Sequence, residues 1–178
     1  MERLYPIFYR FSAFELGLCV RLNHICRFHW LVQFFRLVSW LGNGKFWYVL
    51  IVLLPFIFGV SYLVASVHML LAGLVALMVY KLIKSTTSRV RPYAQASAIN
   101  LGTAPLDQYS FPSGHTLHAV NFTIIACYYC PPLLPLLIVF SSLTAISRVV
   151  LGLHYPTDVV IGALLGAVVA ITSINLVV

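Results

Sequence analysis

The chain has 178 residues, of which 61% are hydrophobic and 8% charged, and 11 Lys and Arg against 4 Asp and Glu leave a formal charge of +7. Soluble domains run at about 45–50% apolar and about 25% charged, so this composition excludes an ordinary soluble domain and points to one integral membrane domain. Such hydrophobicity also excludes nucleic acid as the partner of the positive charge, and leaves anionic lipid headgroups or a phosphorylated substrate.

Residues 1–41 carry Arg3, Arg10, Arg21, Arg27 and Arg36 among Phe, Leu and Trp. Cations at that frequency are costly in a span, so N-terminal interfacial helices are expected there. The scattered charges also argue against a cleavable signal sequence. From Phe46 to Tyr80 no residue is formally charged, enough for two short spans that turn near "VSYLVAS". Lys45 and Lys81 then sit at its ends, where their side chains can snorkel. Residues 85–110 are polar and rich in small side chains, which reads as a loop. Another uncharged run, Thr116 to Ser147, is broken by "PPLLP" at 131–135, where prolines end one helix and begin the next. The last span starts near Tyr155, with Gly162 and Gly166 spaced for close helix packing.

The expected fold is therefore all-α, a polytopic membrane helical bundle with about five transmembrane helices, at 44–62, 66–84, 114–130, 133–150 and 155–175. The division is an N-terminal unit at 1–41 and a transmembrane unit at 42–178. Cys127 and Cys130 form a CxxC with no second pair to complete a metal site, and helix packing is the expected role.

Alternating spans bring the 85–113 loop and the 147–155 turn to one face of the membrane. Lys84, Arg89, Arg91, Ser113, His115, Arg148, His154 and Asp158 gather there, while the opposite face has uncharged turns. Lys84, Arg91 and Arg148 at the edge of a low-dielectric slab call for an anion, and a phosphate suits guanidinium forks. For Lys84 alone, snorkelling is an equal alternative. "PSGH" reads as a helix start with Ser113 as N-cap, where Gly114 lets a ligand approach free backbone N–H groups. His115 and His154 flank this seat. Asp158 stands at i+4 from His154 and can hold one ring N–H, leaving the other nitrogen free to attack. Its alternative role is an ion pair with Arg148 or Arg91. His118 completes an HxxH, but a two-metal phosphatase needs more carboxylates than this face supplies. The inventory permits chemistry without metal or cofactor, with His118 lining the pocket or packing.

Lys84 through Arg91-Pro92, then Pro112-Ser113-Gly114-His115, then Ser147-Arg148 with His154 and Asp158, resemble the signature of the type 2 phosphatidic acid phosphatase (PAP2) superfamily. That signature is K-x6-RP, PSGH and SR-x5-H-x3-D. All three parts match without substitution and in order, and the resemblance spans residues 42–175. It implies a metal-independent lipid phosphatase with a helical-bundle core. By position it makes His154 the nucleophile of a phosphohistidine intermediate, Asp158 its orienting residue and His115 the acid for the leaving oxygen. Lys84, Arg91 and Arg148 become phosphate ligands, with Ser113 and the Gly114 amide contributing.

The expected substrate is a lipid with a terminal phosphate, such as phosphatidic acid, phosphatidylglycerophosphate or undecaprenyl pyrophosphate. A lipid phosphotransferase and a non-catalytic lipid-binding protein are the alternatives. The resemblance implies a bacterial inner membrane and a site facing outward. The arginine-rich N-terminus, by the positive-inside rule, argues for the cytoplasmic side.

Overall fold

Prolines and glycines divide the apolar sequence into helices. The computed structural model describes residues 5–177, with side chains from residue 12, so Arg3 and the side chain of Arg10 lie outside the described residues. The helices are α1 Tyr5–Asn23, α2 His29–Trp40, α3 Phe46–Phe58, α4 Leu63–Ser85, the short α5 Pro92–Gln95, α6 Gly114–Tyr129, α7 Leu134–Val150 and α8 Pro156–Val177. The break expected near "VSYLVAS" comes slightly earlier, at Gly59, whose φ of 104° suits only glycine, and the other falls as expected at Pro131–Leu133, a 3-10 turn between α6 and α7.

Four stretches are long and apolar enough to cross a membrane: His29–Phe58, Val60–Ser85, Pro131–Val150 and Pro156–Val177. The fifth expected span, α6, has 16 residues, roughly 24 Å at the helical rise. It is the enclosed helix of the bundle, packed against α4, α7 and α8. The first stretch begins earlier than expected, because α2 runs into α3 through a kink where Asn43 and Gly44 leave helical geometry. The expected division at 41/42 coincides with that kink. Phe35 of α2 packs on Val150, Leu151 and Leu153, so α2 is docked on the turn that follows α7.

The core joins Trp47, Ile51 and Leu54 of α3 to Met69 of α4, Phe122 and Ile125 of α6 and Leu137 of α7. Phe56, Leu71, Val139 and Val168 remain exposed on the outer faces, where acyl chains take the place of water.

Three contacts position the reactive end. First, α6 and α8 meet backbone to backbone: a Cβ on Gly162 or Gly166 would run into the carbonyl of Ser113 or Leu117. This sets the two N-termini side by side, with Ser113 N–H donating to Asp158 O at 3.0 Å. Second, the turn after α7 closes on itself, since the amides of Leu153 and His154 both donate to Arg148 O, at 3.0 and 3.1 Å. Third, buried Asn23 at the end of α1 donates to Asn100 O and Val150 O and accepts from Asn100 N–H, all within 2.9 Å.

Candidate active site

Four helix ends meet on one face: the C-termini of α4 and α7 and the N-termini of α6 and α8. Tyr155, Pro156, Thr157 and Asp158 open α8, and the Asp158 carboxylate reaches back to accept from Tyr155 N–H at 2.9 Å. This is half of a capping box, and the positive end of the helix favours the charge. The same oxygen, Oδ2, faces His154 Nδ1 at 3.6 Å, beyond hydrogen-bond range, so Nδ1 has no hydrogen-bond partner among the described residues. The other oxygen accepts from Arg89 Nη1 at 2.7 Å. The ion partner of Asp158 is therefore Arg89, not Arg148 or Arg91.

Arg89 is held in turn by Glu15, 3% exposed on α1, at 2.7 Å. Glu15 also accepts from the amide and hydroxyl of Thr157, at 2.9 and 2.6 Å. Burial pulls the Arg89 guanidinium down, but Asp158 and Glu15 outweigh it and raise its pKa. Glu15 and the role of Arg89 escaped the sequence reading. Their signals are a lone acid in an apolar helix and an arginine two residues before Arg91.

His154 is buried at 3% exposure. Its Nε2 faces Arg91 Nη1 at 3.4 Å, and Asp158 behind Nδ1 favours the proton on that nitrogen, leaving the Nε2 lone pair toward the arginine. Arg91 also donates to Leu153 O at 2.7 Å and to the Asp107 carboxylate at 2.6 Å. Lys84 Nζ forms an ion pair with that carboxylate at 3.0 Å, and Tyr80 donates to it at 2.6 Å. Burial pushes the Asp107 carboxyl up, but Tyr80, Lys84 and Arg91 together hold it at about 2.

Arg148 is 2% exposed. It donates to Ser39 Oγ of α2, and its Nε is buried without a partner among the described residues. Ser113 is the N-cap residue of α6, yet its hydroxyl pairs with Thr116 Oγ1 at 2.9 Å instead of capping the backbone. Gly114 packs under the Tyr80 ring, where a Cβ would sit 2.8 Å from it. His115 makes no contact with His154 by hydrogen bond. It lines a cavity of about 460 Å³ with Tyr80, Leu70, Leu74, Leu106 and His118. His118 stacks on Phe122 at 5.8 Å, and Ser147 turns its hydroxyl into its own helix, toward Thr144 O. Cys127 and Cys130 are free thiols.

The structure thus joins Lys84, Arg91, His154 and Asp158 in one contact chain, ties Ser113 to it through the backbone, and sets Gly114 and His115 beside it on Tyr80. Lys84 and Arg91 share the one Asp107 carboxylate, and Arg148 Nε and His154 Nδ1 are buried without a partner among the described residues, so the arrangement can accept a further anion.

These residues lie in the part of the chain that matches known proteins. A sequence model of the PAP2 superfamily matches residues 67–178. Decaprenylphosphoryl-5-phosphoribose phosphatase of Mycobacterium tuberculosis is 35% identical over 109 residues, 61% of this chain and 57% of that protein. Undecaprenyl-diphosphatase of Sulfolobus acidocaldarius is 26% identical over 112 residues, 62% of this chain and 54% of that protein. The chain spans little more than half the length of these curated relatives. Among solved structures, Aquifex aeolicus LpxE superposes with a TM-score of 0.78 at 28% identity, covering 90% of this chain and 94% of that one. A PAP2-type phosphatidylglycerolphosphate phosphatase from Bacillus subtilis gives 0.71 at 25% identity, covering 94% and 86%.

Proposed function

The chain belongs to the PAP2 superfamily, and on that premise we propose that it is a metal-independent membrane phosphatase that removes a terminal phosphate from a lipid. The observation that carries this reading is His154, buried with Nε2 toward Arg91 and with Asp158 behind Nδ1. A lipid substrate is supported by the cavity beside His115, whose wall includes Leu70 and Leu74, both exposed on the outer face of α4. An acyl or prenyl chain can lie there while its headgroup reaches the cations. The named relatives act on lipids that carry phosphate on a long apolar anchor.

Lys84, Arg91 and Arg148 hold the phosphoryl oxygens, with the Gly114 amide at the start of α6 and Ser113 contributing. His154 Nε2 attacks phosphorus, the N–P bond forming as the P–O bond breaks, and His115 gives its proton to the leaving oxygen. A water then returns a proton to His115 and cleaves the N–P bond, releasing phosphate and free His154. Asp158 keeps the proton on Nδ1 throughout and stabilises the charge that develops on the ring. The cations supply the electrostatic stabilisation that metal ions give elsewhere.

Phosphate release from a panel of lipid phosphates in detergent tests this reading. His154→Ala is expected to fall to background and His115→Ala to lose about 10²–10⁴-fold, while EDTA leaves the wild-type rate unchanged. Full activity in either variant, or loss with EDTA, contradicts it.

A further inference from the structure

Asp107 occupies an unusual position for one of only four acidic residues in the chain. The other two described acids, Glu15 and Asp158, pair with Arg89. Asp107 instead lies on Lys84 at 3.0 Å and Arg91 at 2.6 Å, the two cations to which the proposed function gives the substrate phosphate. Its carboxylate is bound as a phosphoryl group would be, by an ammonium, a guanidinium and the Tyr80 hydroxyl. Its neighbour Leu106 lines the apolar cavity beside His115. Leu106 and Asp107 therefore present an apolar group and an anion side by side, the same pairing that a lipid phosphate presents.

We propose that Asp107 is a specificity-determining residue, the resident anion of the phosphate seat, which yields to a phosphate dianion but not to the monoanionic phosphodiesters of bulk phospholipid. The inference rests on the assignment of Lys84 and Arg91 as phosphate ligands. The physical reason is charge balance. A monoanion that displaces the carboxylate exchanges one unit charge for another and gains no Coulomb energy, while Asp107 still has to be moved. A dianion gains one further unit of attraction from cations that are mostly desolvated. A membrane presents phosphodiester headgroups at very high local concentration, so a seat of bare cations would fill with them. The segment can respond, because its backbone is anchored at Gly102 on Leu151 O and at Ser110 on Arg89 O. Between those anchors Asp107 is held through Arg91 Nε on its carbonyl and through its own side chain, which is 34% exposed.

The test is inhibition of lipid-phosphate hydrolysis by two small probes, inorganic phosphate at mildly alkaline pH, where it is a dianion, and dimethyl phosphate, a monoanion. The wild type is expected to prefer phosphate strongly. In Asp107→Asn the inhibition constant for dimethyl phosphate should fall about tenfold and the preference should shrink, whereas Asp107→Glu should retain it. An unchanged preference in Asp107→Asn, or weaker binding of both probes, overturns the proposal and makes Asp107 a support for the two cations. If Asp107→Asn does not fold in detergent, a wild type that binds both probes equally overturns it as well. Lys84→Met separates the premise from the inference. Unchanged phosphate inhibition in that variant means that the seat itself is misassigned, while weakened inhibition with no Asp107 effect refutes only the resident anion.

Discussion

His154 is buried at 3% exposure between Arg91 and Asp158. Burial pushes its imidazole pKa down to about 4, against the pull of Asp158 and with Arg148 and Arg91 adding to the fall. The folded protein refuses a proton that the unfolded chain accepts near 6.5. The resulting stability is fully present above 6.5 and is lost as pH falls from there toward about 4. His154, the proposed nucleophile, accordingly stays unprotonated through mildly acidic conditions. The acidic limb of kcat/KM assigned to the free enzyme is expected well below 6.5, and an enzyme limb centred at or above that value contradicts the assignment. The histidine, its i+4 carboxylate and the proline between them were legible as a helix start with a paired acid. The 3.6 Å gap was not, because the amide of Tyr155 competes for the same oxygen and only the closed turn brings that amide within reach.

At the scale of elements, the α6–α8 contact decides where the two histidines stand. Gly166 faces the Leu117 carbonyl with no room for a Cβ, so Gly166→Leu must separate the helices. Overpacking of this kind costs about 1–3 kcal/mol. Because Ser113 and Asp158 are joined across the same pair, the displacement moves His115 relative to His154. The variant is expected to unfold at lower temperature in detergent and to lose most of its kcat. Unchanged activity alongside a lowered unfolding temperature would uncouple the contact from the site. The glycine spacing was visible as a packing signal, and the breaks near "VSYLVAS" and at "PPLLP" were equally plain, although the first comes a few residues early, at Gly59. The continuity of α2 with α3 was not legible. Lys45 and the glycines at 42 and 44 look like an end, yet α2 leads directly into α3 through the kink at Asn43 and Gly44, each helix packing on a different cluster.

For the whole molecule, the family match begins at residue 67, but the site draws on the chain well before that point. Glu15 reaches Arg89 and Thr157 from α1, and Ser39 reaches Arg148 from α2. Removing one partner from a buried ion cluster is destabilising, though less so where the charge keeps a second partner. Glu15→Gln leaves Arg89 with Asp158 alone and loosens α1 from the start of α8. The expected result is a lower unfolding temperature and a fall in kcat larger than any change in KM, since the proposed role of Asp158 is toward His154 and not toward the phosphate. A KM effect alone would mean that α1 serves substrate entry instead.

The sequence by itself determined the membrane character, the helical class, the breaks between helices and the residue types at the reactive face. These follow from composition, from the prolines and glycines, and from motifs short enough to be read along the chain. Only the tertiary structure decided which charges pair. With few acids among many cations, the sequence allowed each acid several partners. The fold made Arg89 the partner of Asp158, brought Glu15 across 74 residues to support it, and set Asp107 on Lys84 and Arg91. Pairing of that kind depends on distances between helices far apart in sequence, which no local pattern encodes.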